Sequence, residues 1–303
     1  MDNDGRVVGL YVFNDVKGIV SGSSAGFNVD HSGRLRVGAA IGTSESDLER
    51  VAALVHEQVD VVVIDTAHAD SKPVFEILRQ LKRDYASLDV VVGNISEPES
   101  AARLLKAGAD GIKVGQGPGS ICTTRIVAGI GAPQVNAVYE CAKVLRGSGV
   151  PLCADGGIKN SGDIVIAFGA GAYNVMMGST LAGTEETPGD VLFADGRQWK
   201  EYRGMGSLGA MKESAASRER YRQSGKALIP EGVEARVPFK GPLGPVIEQY
   251  VGGLRQGMGY VGAADIVQLQ FKARFRRMTG AGIAESHPHG VIITREAPNY
   301  SGR

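Results

Sequence analysis

Cysteine, net charge and long apolar runs are all scarce in this chain, and each scarcity removes a class of protein. Three cysteines in 303 residues, Cys122, Cys141 and Cys153, are too few and odd in number for a disulfide framework, so reduced thiols are expected. Thirty-three Lys and Arg balance 33 Asp and Glu. With no global field, neither nucleic acid nor a membrane surface is an expected partner, and ligands must be recognised locally. No run approaches the ~18–20 apolar residues of a membrane span, and the acidic start Met1-Asp-Asn-Asp4 lacks the regions of a signal peptide, so the expected address is cytoplasmic. Glycine is the opposite case. Its 43 residues are about double the usual ~7% share, without collagen-like triplets, and 43% hydrophobic against 22% charged residues describes a globular chain.

Short apolar, β-branched runs alternate with segments of helical period over the first 180 residues, the pattern of repeated βα units on a parallel sheet. Six strands are predicted at Arg36–Ala40, Val59–Ile64, Leu88–Val92, Gly111–Val114, Val150–Ala154 and Tyr173–Met177. Helices are predicted at Ser44–Glu57, Pro73–Asp84, Pro98–Ala107, Gln134–Leu145 and Ser161–Phe168. The continuous apolar run Val59–Ile64 predicts burial on both faces, as in a doubly wound sheet or a barrel. Beyond Leu181 the pattern breaks, and the Gly-, Ser- and charge-rich stretch Met211–Gly241 lacks periodicity; so long a connection reads as a lid or flap. A helix is predicted around Pro245–Gln256, and the tail Glu285–Arg303 reads as irregular or extended. Arg6–Phe13 reads as a strand, set apart from the first βα unit by the polar segment Ser21–Arg34.

The glycines cluster where strands end. Val114-Gly-Gln-Gly-Pro-Gly-Ser-Ile-Cys-Thr-Thr-Arg125 follows a strand directly, and glycines at alternate positions let backbone amides or carbonyls reach an ion or a phosphate. The spacing is neither the dinucleotide fingerprint nor a P-loop. Cys122, flanked by Ser120, Thr123, Thr124 and Arg125, has a polar and cationic setting that suits a nucleophilic thiolate, or is simply a small buried residue. Cys141 and Cys153 read as core thiols. Ala154-Asp-Gly-Gly-Ile158 and Met177-Gly-Ser-Thr180 end the last two strands, where (β/α)8 barrels build phosphate sites; a tight βα turn is the plain reading of Gly156 and Gly157. Asp65, opening Asp65-Thr-Ala-His68, is placed either to accept ribose hydroxyls or to cap a turn. His287 and His289 have no second ligand pair to suggest zinc.

Several of these runs together resemble the catalytic part of the bacterial IMP dehydrogenase family. They are Gly115–Arg125, Ala154–Ile158, Tyr202-Arg-Gly-Met-Gly-Ser-Leu-Gly-Ala-Met211, Pro230-Glu-Gly-Val233 and Glu285-Ser-His-Pro-His289, in the family's order, from about Gly33 onward. The resemblance implies a (β/α)8 barrel that oxidises IMP to XMP with NAD. Cys122 would attack C2 of the purine, hydride would leave to the nicotinamide, and the covalent intermediate would be hydrolysed. Ser120, Asp155, Gly156, Gly157, Gly178, Ser179 and Tyr202 would hold the nucleotide's phosphate and ribose, with Gly204, Met205, Gly206 and Glu231 along the base. Asp65, His68, Asn94 and Gly115 would face the dinucleotide. A flap at about 212–241 would bring Arg220 and Tyr221 to activate water, with Thr124 and Glu231 as a second proton route. A monovalent cation, usually K+, would sit on carbonyls of Gly117, Gly119 and Cys122, completed by Glu285, Ser286 and His287 of a neighbouring subunit in a homotetramer.

The chain departs from that pattern twice. Arg222 stands where the family usually has an aromatic residue after the Arg-Tyr pair, and Arg218 competes with Arg220 for the arginine's place. The first two βα units have no counterpart, and residues 1–20, similar over Arg6–Val16 to the end of a CBS regulatory module, would be its remnant, leaving 21–303 as a partial barrel. Six strands cannot close an eight-stranded barrel, so the expectation is a fragment or a barrel completed by another polypeptide. The rival readings are a GMP reductase using NADPH and a non-catalytic nucleotide-binding or interaction fragment.

Overall fold

The computed structural model describes residues 27–222 and 227–300. The expected strand Arg6–Phe13 and CBS remnant lie outside those residues. Six strands, β1 (Gly38–Ile41), β2 (Val61–Asp65), β3 (Asp89–Ile95), β4 (Gly111–Val114), β5 (Leu152–Asp155) and β6 (Asn174–Met176), form one sheet. All neighbours are parallel and the sheet order follows the chain. That topology, with a helix between successive strands, is an incomplete (β/α)8 barrel whose six predicted strands are all present. β1 and β6 each pair on one side only among the described residues.

The intervening helices are α1 (Glu45–His56), α2 (Lys72–Asp84), α3 (Pro98–Lys106), α4 (Thr124–Val127), α5 (Gln134–Leu145), α6 (Ser161–Gly169) and α7 (Ser179–Ala182). Their ends follow local chemistry. Ser44 with Asp47 and Asn160 with Asp163 form capping boxes, and Pro73 and Pro98 occupy first-turn positions where no amide is missed. In α2 the buried residues Val74, Ile77, Leu78 and Leu81 recur at helical spacing and meet Val62, Ile64, Val90 and Val92 of the sheet, all fully buried. Asp110 ties helix to sheet: it accepts from Lys82 Nζ at 2.7 Å and from the Val90 amide at 2.8 Å.

Beyond α7 the structure adds elements that periodicity does not predict. Strands β7 (Val191–Ala194), β8 (Arg197–Arg203) and β9 (Glu234–Pro238) make an antiparallel sheet. Asp195 and Gly196, with φ of 51° and 69°, form the two-residue turn of its first hairpin, the geometry that Asp-Gly favours. The stretch Met211–Gly241 is also not structureless: α8 (Leu208–Glu213), α9 (Ala215–Arg220) and β9 fall in it. α10 (Leu243–Val261) is longer than the predicted helix, and α11 (Ile266–Lys272) and α12 (Gly280–Ser286) follow, so the tail is irregular only after Ser286. No helix among the described residues is long and apolar enough to cross a membrane.

The core predicts its own sensitivity. Leu81 is fully buried between α2 and the sheet, so Leu81→Ala is expected to cost about 2–5 kcal/mol in urea unfolding, while Lys72→Ala on the exposed start of the same helix stays within about 0.5 kcal/mol.

Candidate functional site

The carboxyl ends of β2, β4, β5 and β6 share one rim, and a cleft of about 230 Å³ opens there. Its lining includes Asp65, Ser120, Cys122, Asp155, Gly156, Gly157, Gly178, Ser179, Tyr202, Gly204, Met205, Gly206, Arg220, Tyr221 and Glu231. Segments far apart in the chain thus converge on one cleft. Backbone hydrogen bonds stitch three of them together: Thr123 N donates to Glu231 O at 2.9 Å, Val233 N to Ile121 O at 3.0 Å, Glu231 N to Gly206 O at 2.9 Å, and Gly204 N to Val233 O at 3.1 Å. The cysteine loop, the Gly204–Gly206 turn and the Pro230–Val233 segment therefore form one frame.

Cys122 is half-buried in that frame, and its thiol donates to Thr124 Oγ1 at 3.2 Å. The other two thiols sit in different surroundings. Burial, helped by Glu97, Glu99 and Glu140, pushes Cys141 up to about 12, and burial with Asp155 nearby pushes Cys153 up to about 12. Both stay protonated and unreactive, as core thiols do. Tyr202 on β8 reaches Gly178, where any Cβ would stand 2.6 Å from the phenol oxygen. Burial raises the Tyr202 hydroxyl, opposed by its hydrogen bond to Ser120, so it stays a neutral donor beside Asp155.

Arg220 and Tyr221 end α9 and turn inward over the cleft. Arg220 pairs with Asp65, and its carbonyl accepts from Ala67 N at 3.2 Å. Burial works against the Arg220 charge, yet the Asp65 carboxylate overcomes it and holds the proton more firmly than usual. Burial likewise opposes ionisation of Asp65, but Lys113 and Arg220 keep it below the usual carboxylate range. Tyr221 lies against Gly206, where an added Cβ would sit 2.8 Å from its ring; burial raises its hydroxyl despite Arg220, with Cys122 and Glu231 adding to the rise. Arg218 is exposed, so the inward arginine is Arg220. Two further ties dock the segment: Thr43 N donates to Glu219 Oε1 at 3.0 Å, and Arg222 bonds the Ser71 hydroxyl.

The remaining predicted residues lie elsewhere. Asn94, 4% exposed, is beneath the cleft rather than on its wall, and its amide donates to Gly115 O at 2.7 Å and Asp155 Oδ2 at 2.8 Å. Gly115 is also buried, with φ 154°. His68 is exposed on the loop after β2, with Nδ1 3.1 Å from Gln116 Nε2. Gly117 has φ 77° and Gly119 O accepts from Cys122 N at 3.1 Å. Glu285 and Ser286 end α12 and His287 follows, all exposed; Ser286 Oγ donates to Gly282 O and His287 Nδ1 meets the Tyr300 hydroxyl, each at 2.8 Å. Sequence reasoning missed Lys113, whose ammonium joins Asp65 and Asp155. A lysine inside the apolar run Gly111–Val114 was its only signal.

Residues 16–289 match the IMP dehydrogenase / GMP reductase domain. This chain belongs to that family. Among relatives in the IMP dehydrogenase / GMP reductase family, inosine-5'-monophosphate dehydrogenase from Aquifex aeolicus is 54% identical over 301 residues, covering 99% of this chain and 61% of the relative. The Bacillus subtilis protein of the same name is 47% identical over 302 residues with the same coverage. The chain thus spans about 61% of the length of the curated relatives it matches. A solved family member, a cysteine-to-alanine GMP reductase from Trypanosoma brucei in complex with guanosine 5'-monophosphate, superposes with a TM-score of 0.81 at 50% identity, covering 88% of this chain and 54% of its own.

The thiol environments predict selective alkylation. Under native conditions near pH 8, iodoacetamide is expected to modify Cys122 and spare Cys141 and Cys153, read by peptide mass mapping; labelling of Cys141 at the rate of Cys122 contradicts the assignment.

Proposed function

We propose that this chain carries the nucleotide site of an IMP dehydrogenase and, in the completed barrel, oxidises IMP to XMP. The observation that carries this reading is the convergence of Cys122, the Ser120–Asp155–Tyr202 wall and the inward Arg220–Tyr221 pair on one cleft. The nucleotide's phosphate fits between Ser120, the Gly156–Gly157 turn, Gly178, Ser179 and the Tyr202 hydroxyl. Asp155 takes the ribose hydroxyls, and Met205, Gly206 and Glu231 line the base.

Cys122, as thiolate, adds to C2 of the purine, turning a poor hydride donor into a tetrahedral centre that releases hydride. NAD, when bound, supplies the hydride acceptor. Asp65 suits its hydroxyls, since it is an ionised carboxylate at the rim, and exposed His68 offers a ring face. The resulting Cys122 thioimidate is then open to water at C2, and water's oxygen stays on the product as the thiolate leaves. Arg220 could take water's proton only after it leaves Asp65 and loses its own proton, while the neutral Tyr221 hydroxyl would orient that water; Thr124 beside the sulfur, with Glu231 across the Thr123–Glu231 backbone bond, is the second route.

Gly119 O accepts from Cys122 N within the cysteine loop and keeps a second lone pair, and among the described residues no cluster of three or more His, Cys, Asp or Glu offers a divalent site. Hard carbonyl donors of this kind suit K+, held by Gly117, Gly119 and Cys122 with Glu285, Ser286 and His287 of a neighbouring copy in a homotetramer. The likeness to a GMP reductase keeps one rival, reductive deamination of GMP with NADPH, against which the Arg220–Tyr221 pair and Pro230-Glu-Gly stand.

With the two absent βα units supplied, IMP, NAD and K+ are expected to yield NADH absorbance, and Cys122→Ala to lower the rate by about 10³-fold or more while IMP still binds. Turnover that survives Cys122→Ala sinks the mechanism. A preference for GMP with NADPH transfers the reading to the reductase.

A further inference from the structure

Lys113 is 4% exposed on β4, and a buried ammonium persists only when its donors are satisfied. All three are. Nζ lies 2.9 Å from Asp65 Oδ1, 2.8 Å from Asp155 Oδ2, and on Asn94 Oδ1. Asn94 closes the ring by donating to Asp155 Oδ2. The neighbouring strand makes room: a Cβ at Gly93 would stand 2.5 Å from Lys113 Cβ. Lys113 thus uses one oxygen of each carboxylate, and the second oxygen of Asp65 is the one that meets Arg220.

We propose that Lys113 is a positioning residue that clamps Asp65 and Asp155 in one frame, presetting both the dinucleotide-side and the nucleotide-side acceptors of the cleft. The inference rests on the nucleotide reading above. It gives Lys113 a specific task in the cycle. Arg220 and a dinucleotide hydroxyl compete for Asp65, so when Arg220 departs Lys113 is the cation that remains on that carboxylate. The groups facing Asp65 are Lys113 from β4, Arg220 and Tyr221 from the α9 end, and Asp155 beyond Lys113. Asp47, Arg50 and Glu219 line the adjoining recess. Since the accepting form is the carboxylate, dinucleotide affinity is lost as pH falls, and without Lys113 it is lost at a higher pH.

The test is titration calorimetry of the full chain with IMP, then with NAD on the IMP-loaded protein, across pH 3 to 7.5, with thermal melting beside each. Lys113→Met is expected to weaken both ligands by roughly ten-fold or more and to move the acid limb of NAD binding upward. Lys113→Arg, which keeps the charge, leaves that limb in place. Unchanged affinities and an unmoved limb in a folded Lys113→Met overturn the proposal, as does a limb in Lys113→Arg that moves equally. If Lys113→Met has no melting transition, Lys113→Gln, which removes the charge but keeps a polar end for the two carboxylates, is titrated instead, and unchanged affinities there overturn it. A wild-type chain that binds no IMP overturns the nucleotide reading and this inference together; wild-type binding with unchanged variants overturns this inference alone.

Discussion

Parallel strands in chain order all end on the same side, and the cleft depends on that constraint. Because β2 through β5 are held parallel and in register by their ladders, whatever follows each strand is delivered to one rim. Asp65, Gly115 and Asp155 arrive as strand ends, and Cys122 follows on the loop after β4. The segments from beyond the sheet, Gly204–Gly206 and Pro230–Val233, then attach through backbone hydrogen bonds. That choice leaves the side chains of the same segments free to face a ligand.

Charge is distributed unevenly over the rim. Acidic groups sit on the sheet and the cations meet them from β4 and from α9, so the α9 end is held by electrostatics more than by apolar contact. This has a chemical corollary for water activation. In the conformation described here the Asp65 carboxylate keeps Arg220 protonated, so a proton-accepting role for that guanidinium requires the ion pair to break first. On the proposed reading, the same event would open Asp65 to the dinucleotide, so one contact would separate two functional states.

The sheet was legible because its strands are short, mostly apolar and β-branched runs separated by segments of helical period, and all six appear within a few residues of the expected limits. The site motifs were legible because glycine must stand where backbones meet, and those glycines flank the cysteine. Other features were hidden for physical reasons. The β7–β8 hairpin alternates poorly, with Gln198, Lys200 and Glu201 on a strand that packs only one face, and its Asp195-Gly196 turn was the overlooked signal. The choice between Arg218 and Arg220 depends on which way a short helix faces, which a run of charges cannot say. Asn94 is buried and donates to Gly115 O and Asp155 Oδ2, contacts across the sheet that neither spacing nor resemblance encodes. Lys113 is invisible as a site residue because its partners lie 48 and 42 positions away in the chain.

The docked α9 end also bears on how a measured affinity is to be interpreted. It is secured by the Arg220–Asp65 pair, the Ala67–Arg220 backbone bond and the contacts of Glu219 and Arg222, each worth ~0.5–1.5 kcal/mol net if neutral and more if charged. On the proposed reading, the dinucleotide meets only the fraction of molecules in which these ties are open, so its observed dissociation constant is the intrinsic one divided by that fraction. Loosening any single tie, Glu219 on Thr43 for instance, would tighten apparent cofactor binding without touching a single cofactor contact.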